Sequence, residues 1–79
     1  MVRLNVDAAK MMLIVLKQRG ELRWSVWMVA CARRDISEGY FRGCLKTLMK
    51  LGYIVHSGEL YCVSPRGLRF LESLGVFLC

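Results

Sequence analysis

Histidine, proline and long apolar runs are all scarce in this chain of 79 residues, which contains 1 proline and 1 histidine. Its longest apolar runs, residues 11–16 and 26–32, have the length of core helices. Both fall well short of the roughly 18 residues that a membrane span needs. The opening residues also lack the long apolar region of a secretory signal. These absences predict a soluble, cytoplasmic protein that does not associate with a membrane.

The 4 cysteines are too widely spaced to suggest a metal site. Neither Cys31, Cys44, Cys62 nor Cys79 has a neighbour at the separation of about two to four residues found in zinc sites, and His56 is the only histidine. The first three lie in apolar contexts and are expected to be small buried residues. Cys79, as the last residue, could instead link two subunits.

Catalytic patterns are missing as well. A nucleophile needs a neighbouring base, but the single histidine falls near the turn of a short predicted hairpin. There is no glycine-rich phosphate loop and no pair of carboxylates placed for acid–base chemistry. The sequence therefore predicts that the protein is not an enzyme and has no cofactor and no evident small-molecule ligand.

Basic residues, by contrast, are abundant. The chain has 12 Lys and Arg against 6 Asp and Glu, a formal net charge of +6, and a pI near 9.6. So strong a bias favours a polyanionic partner, above all nucleic acid; the alternative is an ordinary basic surface. The chain is also 56% hydrophobic, which for a small domain suggests that part of its surface meets another subunit.

The segment 37–54 carries the clearest local pattern. Ser37 is suited to cap a helix, and Ile36 with Phe41 is placed for a hydrophobic staple. Gly52 is suited to end the helix in a left-handed conformation, with a strand following at 53–57. Helical spacing puts an apolar face at Phe41, Leu45, Leu48 and Met49, and a polar face at Glu38, Tyr40, Arg42, Gly43, Lys46 and Lys50.

Weaker patterns predict the elements around this helix. Residues 2–6 alternate as a short strand or an extended arm would. Asp7 is expected to cap a helix over 8–19 that is apolar nearly all round, so its second side is expected to face a partner chain. Residues 21–24 are expected to be extended. Ser25 is then expected to cap a helix over 26–32, with Val26, Val29 and Ala30 facing inward.

The C-terminal third is predicted to form a hairpin and a helix. Strands over 53–57 and 59–64 flank Ser57-Gly58, a two-residue turn signal. Ser64-Pro65 is suited to begin a last helix, which is expected to run over 65–79 unless Gly75 breaks it. Its apolar end is a second candidate for a dimer contact.

This order of elements resembles the winged-helix family, including the MarR- and ArsR-like repressors and small regulators of archaea and their viruses. The resemblance covers residues 8–74 and depends on "S-E-G-Y-F-R-G-C-L-K-T-L-M-K-L-G-Y-I" and, after it, "Y-C-V-S-P-R-G-L-R-F-L". It implies an α+β fold: a winged helix-turn-helix with a three-helix core, a two-stranded wing and a C-terminal helix. Residues 1–79 are then one domain, with helix 65–79 as a possible dimerisation element.

The resemblance also implies that helix 37–51 enters the major groove of double-stranded DNA. The residues that would face DNA are Ser37, Glu38, Tyr40, Arg42, Gly43, Lys46 and Thr47, with Arg33, Arg34 and Ser57 near the backbone. Arg42 is the candidate for guanine recognition, the alternatives being a phosphate contact or a surface ion pair. Lys46 and Arg66 are candidates for phosphate contacts. The wing tip departs from the family, because 56–59 contains no Lys or Arg and includes Glu59.

The function expected from these features is sequence-specific binding of double-stranded DNA by a homodimer, as a transcriptional regulator. Two rival hypotheses stand beside it. One is a winged-helix module for protein–protein interaction without DNA binding, which is favoured if Arg33, Arg34, Arg42 and Lys46 do not form one continuous patch. The weaker one is an RNA-binding module. Trp24 and Trp27 are expected to be core or interface anchors.

Overall fold

The computed structural model describes residues 6–76, which form four helices and three strands. In chain order these are α1 (Val6–Arg19), β1 (Leu22–Arg23), α2 (Trp24–Ala32), α3 (Glu38–Leu51), β2 (Ile54–Ser57), β3 (Leu60–Val63) and α4 (Pro65–Ser73). The predicted α+β class is confirmed, and the arrangement is compatible with a winged helix. The strand or arm considered for 2–6 lies outside the described residues, except that Val6 already belongs to α1.

The strands form one antiparallel sheet in the order β1-β3-β2. In β2–β3 the register runs from Ile54 opposite Val63 to Ser57 opposite Leu60. The turn is therefore Gly58-Glu59, one residue later than predicted. Gly58 has φ +61°, which is the pattern of a type II′ turn with glycine first. We call this hairpin the wing; because β1 also pairs with β3, it is fastened to the helices.

All four helices and the sheet bury side chains in one core. Trp27 lies at its centre, fully buried, with its ring edge-on to Phe41 at a centroid distance of 5.0 Å. The indole N–H of Trp27 donates a 3.0 Å hydrogen bond to the Met12 carbonyl oxygen in α1. A buried indole N–H needs such a partner, so Trp27 confirms the prediction of a core anchor and ties α2 to α1.

Helix α1 begins earlier than predicted, at Val6, so Asp7 lies in its first turn instead of capping it. Its buried residues are Ala9, Met12, Leu13, Val15 and Leu16. Met11 and Ile14 are half-buried against the chain's own core. Much of the apolar surface expected to face a partner chain is thus covered within the domain.

Helix α2 is where the predicted inward face is wrong. Val26 and Val29 are 47% and 49% exposed, while Trp27 and Cys31 are buried; of the three predicted residues, Ala30 alone packs against the core, and it is half-buried. Every residue of α2 except Ser25 is apolar, so the sequence gives no polar side from which an inward face could be inferred. The cap is also wrong: α2 begins at Trp24, with Arg23 at the N-cap position, and Ser25 lies inside the first turn.

Helix α3 follows its prediction closely. The Tyr40 backbone N–H donates to Ser37 Oγ at 3.3 Å, and Gly52 ends the helix with φ +76°. Ile36 and Phe41 are both buried, as the staple requires. Met49 is the exception, since it is 44% exposed and Cys44 occupies the buried face instead.

Helix α4 ends before Gly75, as expected if Gly75 breaks the predicted helix over 65–79. It begins after the Ser64 cap with Pro65 in its first turn and ends at Ser73. Gly75 then adopts φ +81°, a left-handed conformation that turns the chain out of the helix. Val76 follows as a half-buried residue packed on the core. The expected apolar end at 77–79, with Cys79, lies outside the described residues.

Candidate nucleic-acid interface

The side of α3 opposite its buried face carries four residues at helical spacing. Gly39, Gly43, Lys46 and Lys50 follow one another along this side, and we call them the outer ridge. A Cβ added at Gly39 would meet no atom within 4 Å, so packing inside the domain does not require glycine there. The ridge therefore offers bare backbone at Gly39, a half-buried glycine at Gly43, and two exposed ammonium groups at Lys46 and Lys50.

Arg42 lies beside the outer ridge and is held by two contacts. Its Nη2 is 3.1 Å from Oε2 of Glu38, one helical turn earlier. Its guanidinium carbon lies 5.0 Å from the centroid of the Trp24 ring, a cation–π contact. The Arg42 side chain remains 59% exposed, so it is oriented but still available to a ligand. The surface ion pair, one of the two alternatives to guanine recognition for this arginine, is present.

The start of α2 adjoins this arginine through Trp24. The Arg23 side chain at the N-cap makes no capping hydrogen bond, and Ser25 in the first turn is exposed. Backbone N–H groups at a helix N-terminus favour an anion. The beginning of α2 therefore adds a weakly anion-attracting end to the same side of the domain as Arg42.

The wing tip is joined to this region by a salt bridge. Arg23 Nη2 lies 3.6 Å from Glu59 Oε2, with both side chains largely exposed. Behind the tip, His56 stacks on Tyr61 at a centroid distance of 4.2 Å and an angle of 3°. The acid that distinguishes this wing tip thus contacts a basic residue of β1. Ser57 is exposed at the end of β2.

The other end of α3 carries a third arginine. Arg66 Nη1 donates to the Leu51 carbonyl oxygen at 3.3 Å, and Leu51 is the last residue of α3. A cation is stabilised at a helix C-terminus by the unpaired carbonyl groups there. Arg66, considered as a phosphate ligand, therefore has a local structural partner. Thr47 is similar, because its hydroxyl donates to the Gly43 carbonyl oxygen at 3.3 Å.

Arg33 and Arg34 lie elsewhere. Both line a groove of about 610 Å³ between α1 and α2, and Arg34 Nη1 lies 3.6 Å from the Met11 sulfur. Arg34 and Tyr40 also line a second, smaller cavity. Tyr40 projects from the side of α3 that faces away from Arg42. The four residues expected in one patch therefore form two groups, Arg42 with Lys46 and Arg33 with Arg34. We call the groove of about 610 Å³ that Arg33 and Arg34 line the α1–α2 groove.

Sequence spacing did not reveal the contacts that build this surface. Trp24 as a platform for Arg42, and Arg23 as the partner of Glu59, join residues far apart in the chain. The pairing of β1 with β3 brings Arg23 to Glu59, and the packing of α2 against α3 brings Trp24 to Arg42. Helical spacing is enough to predict that Gly39 is exposed. It could not predict that a Cβ added there would meet no atom within 4 Å.

Clusters of metal-ligating side chains and helices of membrane-spanning length are both absent from residues 6–76. No group of three or more His, Cys, Asp or Glu side chains in this range is placed to hold a metal ion. No helix there is both long and apolar enough to cross a bilayer.

Comparison of the chain with protein-family models, curated proteins and solved structures found no match. The functional interpretation therefore depends on the site's own geometry.

Proposed function

We propose that this protein is a winged-helix regulator of transcription that binds double-stranded DNA as a homodimer, with α3 in the major groove. The observation that carries the proposal is the outer ridge: two glycines without side chains, then two lysines, on the exposed side of a capped helix. Glycine allows the backbone to approach a ligand closely. Lysine supplies the phosphate contacts that dominate affinity for DNA.

Arg42 is the residue assigned to base recognition. A guanidinium can bond to O6 and N7 of guanine at once. The contact with the Trp24 ring already restricts the Arg42 side chain to few orientations, so less conformational entropy is lost when it binds a base. Its ion pair with Glu38 is exposed, so the pair contributes little to stability and can open at small cost.

Phosphate contacts on either side of α3 complete the proposed interface. The start of α2, with Arg23 and Ser25, is suited to one phosphate. Ser57 at the wing tip is a candidate for another through its hydroxyl group. Arg33 and Arg34, which lie in the α1–α2 groove, are assigned no direct role in this interface.

The size of the domain supports the homodimer. Its largest extent is 29 Å, which is less than the roughly 34 Å of one turn of DNA. One copy therefore reaches a single major-groove segment and reads few base pairs. Two copies related by a two-fold axis would read two half-sites about one helical turn apart.

Fluorescence anisotropy with duplex DNA, from low to physiological salt, tests the proposal. Lys46→Gln and Lys50→Gln are expected to weaken binding and to lower the salt slope by about one each. Arg69→Gln, which removes the same charge from the exposed side of α4, is the matched control and is expected to change binding little. No affinity at low salt, or equal losses in all three variants, would refute the proposal.

Arg42→Lys separates base recognition from general attraction. Lysine keeps the charge but loses the planar, two-pronged geometry. Selection from a random duplex pool is expected to give a preferred site for the wild type and a relaxed preference at one base pair for the variant, with an unchanged salt slope. An unchanged preference would remove Arg42 from base recognition.

The rival hypothesis of a protein-interaction module is favoured by one observation. The four basic residues that would have formed a continuous DNA-binding patch are divided between two surfaces. The DNA-binding measurements above distinguish this hypothesis, since a module of that kind would show no salt-dependent affinity localised to the outer ridge.

A further inference from the structure

Helix α2 leaves part of its apolar surface uncovered by the described residues. All its positions except Ser25 are apolar, and a helix that is apolar all round is normally buried. Trp27 and Cys31 do face the core, but Val26 and Val29 remain 47% and 49% exposed. These two valines are one turn apart, so they form a short apolar strip along the outside of the helix.

This strip lies in the α1–α2 groove, which apolar and basic residues line together. Val26, Val29 and the half-buried Ala30 supply apolar surface, whereas Val15 is only 2% exposed. The rest of the lining is polar and consists of Gln18, Arg19, Ser25, Arg33 and Arg34. No acidic residue belongs to the lining, so the groove combines exposed apolar side chains with arginines.

We propose that the α1–α2 groove binds an acidic amphipathic helix of a partner protein. The apolar side of such a helix would cover Val26 and Val29, as in other helix-in-groove complexes. Its carboxylates would pair with Arg19 and Arg33, whose guanidinium groups suit carboxylates geometrically. This inference goes beyond the proposed DNA binding, because Val26 and Val29 project from the side of α2 away from the Trp24–Arg42 contact. Ser25, at the start of α2, borders the groove and also belongs to the proposed DNA interface.

Charge argues against a second copy of this chain as the occupant. In a two-fold dimer the same surface meets itself, which would place arginines against arginines. The chain has 6 acidic residues in all, and two of them, Glu38 and Glu59, already pair with arginines elsewhere. The acidic residues are also scattered along the sequence, and the nearest two are Asp35 and Glu38. A separate acidic partner is therefore the better complement.

A synthetic helical peptide tests the proposal directly. The probe is a fluorescently labelled peptide of about five helical turns, with leucines at i, i+3, i+4 and i+7 spacing and glutamates beside them. A second peptide carries glutamine at every glutamate position. Anisotropy with the full chain is expected to show at least about tenfold tighter binding of the glutamate peptide.

Variants of the chain locate the binding. The double variant Val26→Gln/Val29→Gln, which leaves the charge unchanged, is expected to weaken the glutamate peptide about tenfold or more. Arg33→Glu is expected to weaken it as well, while Arg69→Glu, the same charge reversal on α4, is expected to have a much smaller effect. Circular dichroism and thermal unfolding establish that each variant is folded.

Four outcomes would overturn the proposal. They are no binding of the glutamate peptide, equal binding of the glutamine peptide, equal losses in Arg33→Glu and Arg69→Glu, and conversion of a dimer to a monomer by Val26→Gln/Val29→Gln in sedimentation equilibrium. The last result would assign the groove to a second copy. Duplex DNA binding, measured in parallel, is expected to survive Val26→Gln/Val29→Gln, so a failure here is distinguishable from a failure of the proposed function.

Discussion

The Ser64 hydroxyl group donates a 2.6 Å hydrogen bond to the Gly52 carbonyl oxygen, so the residue that caps α4 also binds the residue that ends α3. Ser64 Oγ in turn accepts a 3.1 Å hydrogen bond from the Gly67 backbone N–H. Ser64 is only 6% exposed, and its own N–H donates to the Tyr53 carbonyl oxygen. One buried serine thus fixes the wing between α3 and α4.

Ser64→Ala is expected to lower the free energy of unfolding by about 2 kcal/mol, because it removes a helix cap and also the hydrogen bond to the half-buried Gly52 carbonyl oxygen. Urea unfolding measures this. Ser73→Ala is the matched control: its hydroxyl also donates to a backbone carbonyl oxygen, that of Phe70, but it is exposed. A loss in Ser64→Ala no larger than in the control would contradict the role assigned to Ser64.

Gly67→Ala is expected to cost about 3 kcal/mol, since overpacking against rigid backbone is expensive. A Cβ at Gly67 would collide with the Tyr53 carbonyl oxygen and approach Val63 Cγ1 to 2.9 Å. Gly39→Ala places the same methyl group in open space within α3 and is expected to stabilise the fold by about 0.5 kcal/mol. Equal and small effects in urea unfolding would show that Gly67 is not held by this contact.

Gly39→Ala also has an expected effect on DNA. The proposed interface needs bare backbone at the start of the outer ridge, so the added methyl group is expected to weaken duplex binding although the domain becomes more stable. Anisotropy with the selected duplex measures the affinity. An unchanged affinity would mean that α3 does not approach DNA closely at Gly39.

Glu59→Gln is expected to strengthen duplex binding by about threefold at low salt and by less at physiological salt, because it removes an acid from the wing tip and releases Arg23. The matched control is Glu72→Gln, which removes an exposed acid from α4. The same gain in both variants would indicate a general charge effect without a role for the wing.

Cys31 gives a prediction for alkaline pH. Burial raises the pKa of its thiol from 9.0 to about 11, with Arg34 acting weakly in the opposite direction. The folded protein therefore holds this proton more tightly than the unfolded chain, and the resulting stability is complete below pH 9 and lost as the pH rises toward 11. The stability difference between the wild type and Cys31→Ala, from urea unfolding, is expected to shrink over this interval. A constant difference would refute the assignment.

Local signals account for the part of the fold that the sequence predicted well. The Ser37 and Ser64 caps, the Gly52 helix end and the wing depend on neighbouring residues, and each was found within one residue of its expected place. The inward face of α2 was wrong because its residues carry almost no polar contrast. Gly75 was also the expected break in the last helix, although α4 ends slightly earlier, at Ser73.

The candidate site was predictable only where it lies on one helix. Helical spacing placed Arg42 and Lys46 on the exposed side of α3, and both are exposed. The division of the basic residues into two groups was not predictable, because it depends on how α1 and α2 pack. The same holds for the contact of Arg42 with Trp24, which requires α2 to cross α3 near its start.

The short strand β1 has a mechanical consequence. Leu22 and Arg23 pair with Tyr61 and Leu60, and α2 begins at the very next residue. The hairpin cannot pivot without carrying the start of α2 along, so the angle between hairpin and α3 is set when the chain folds. A ligand that contacts both the hairpin and α3 meets a preorganised surface, so little binding free energy is lost in ordering that surface.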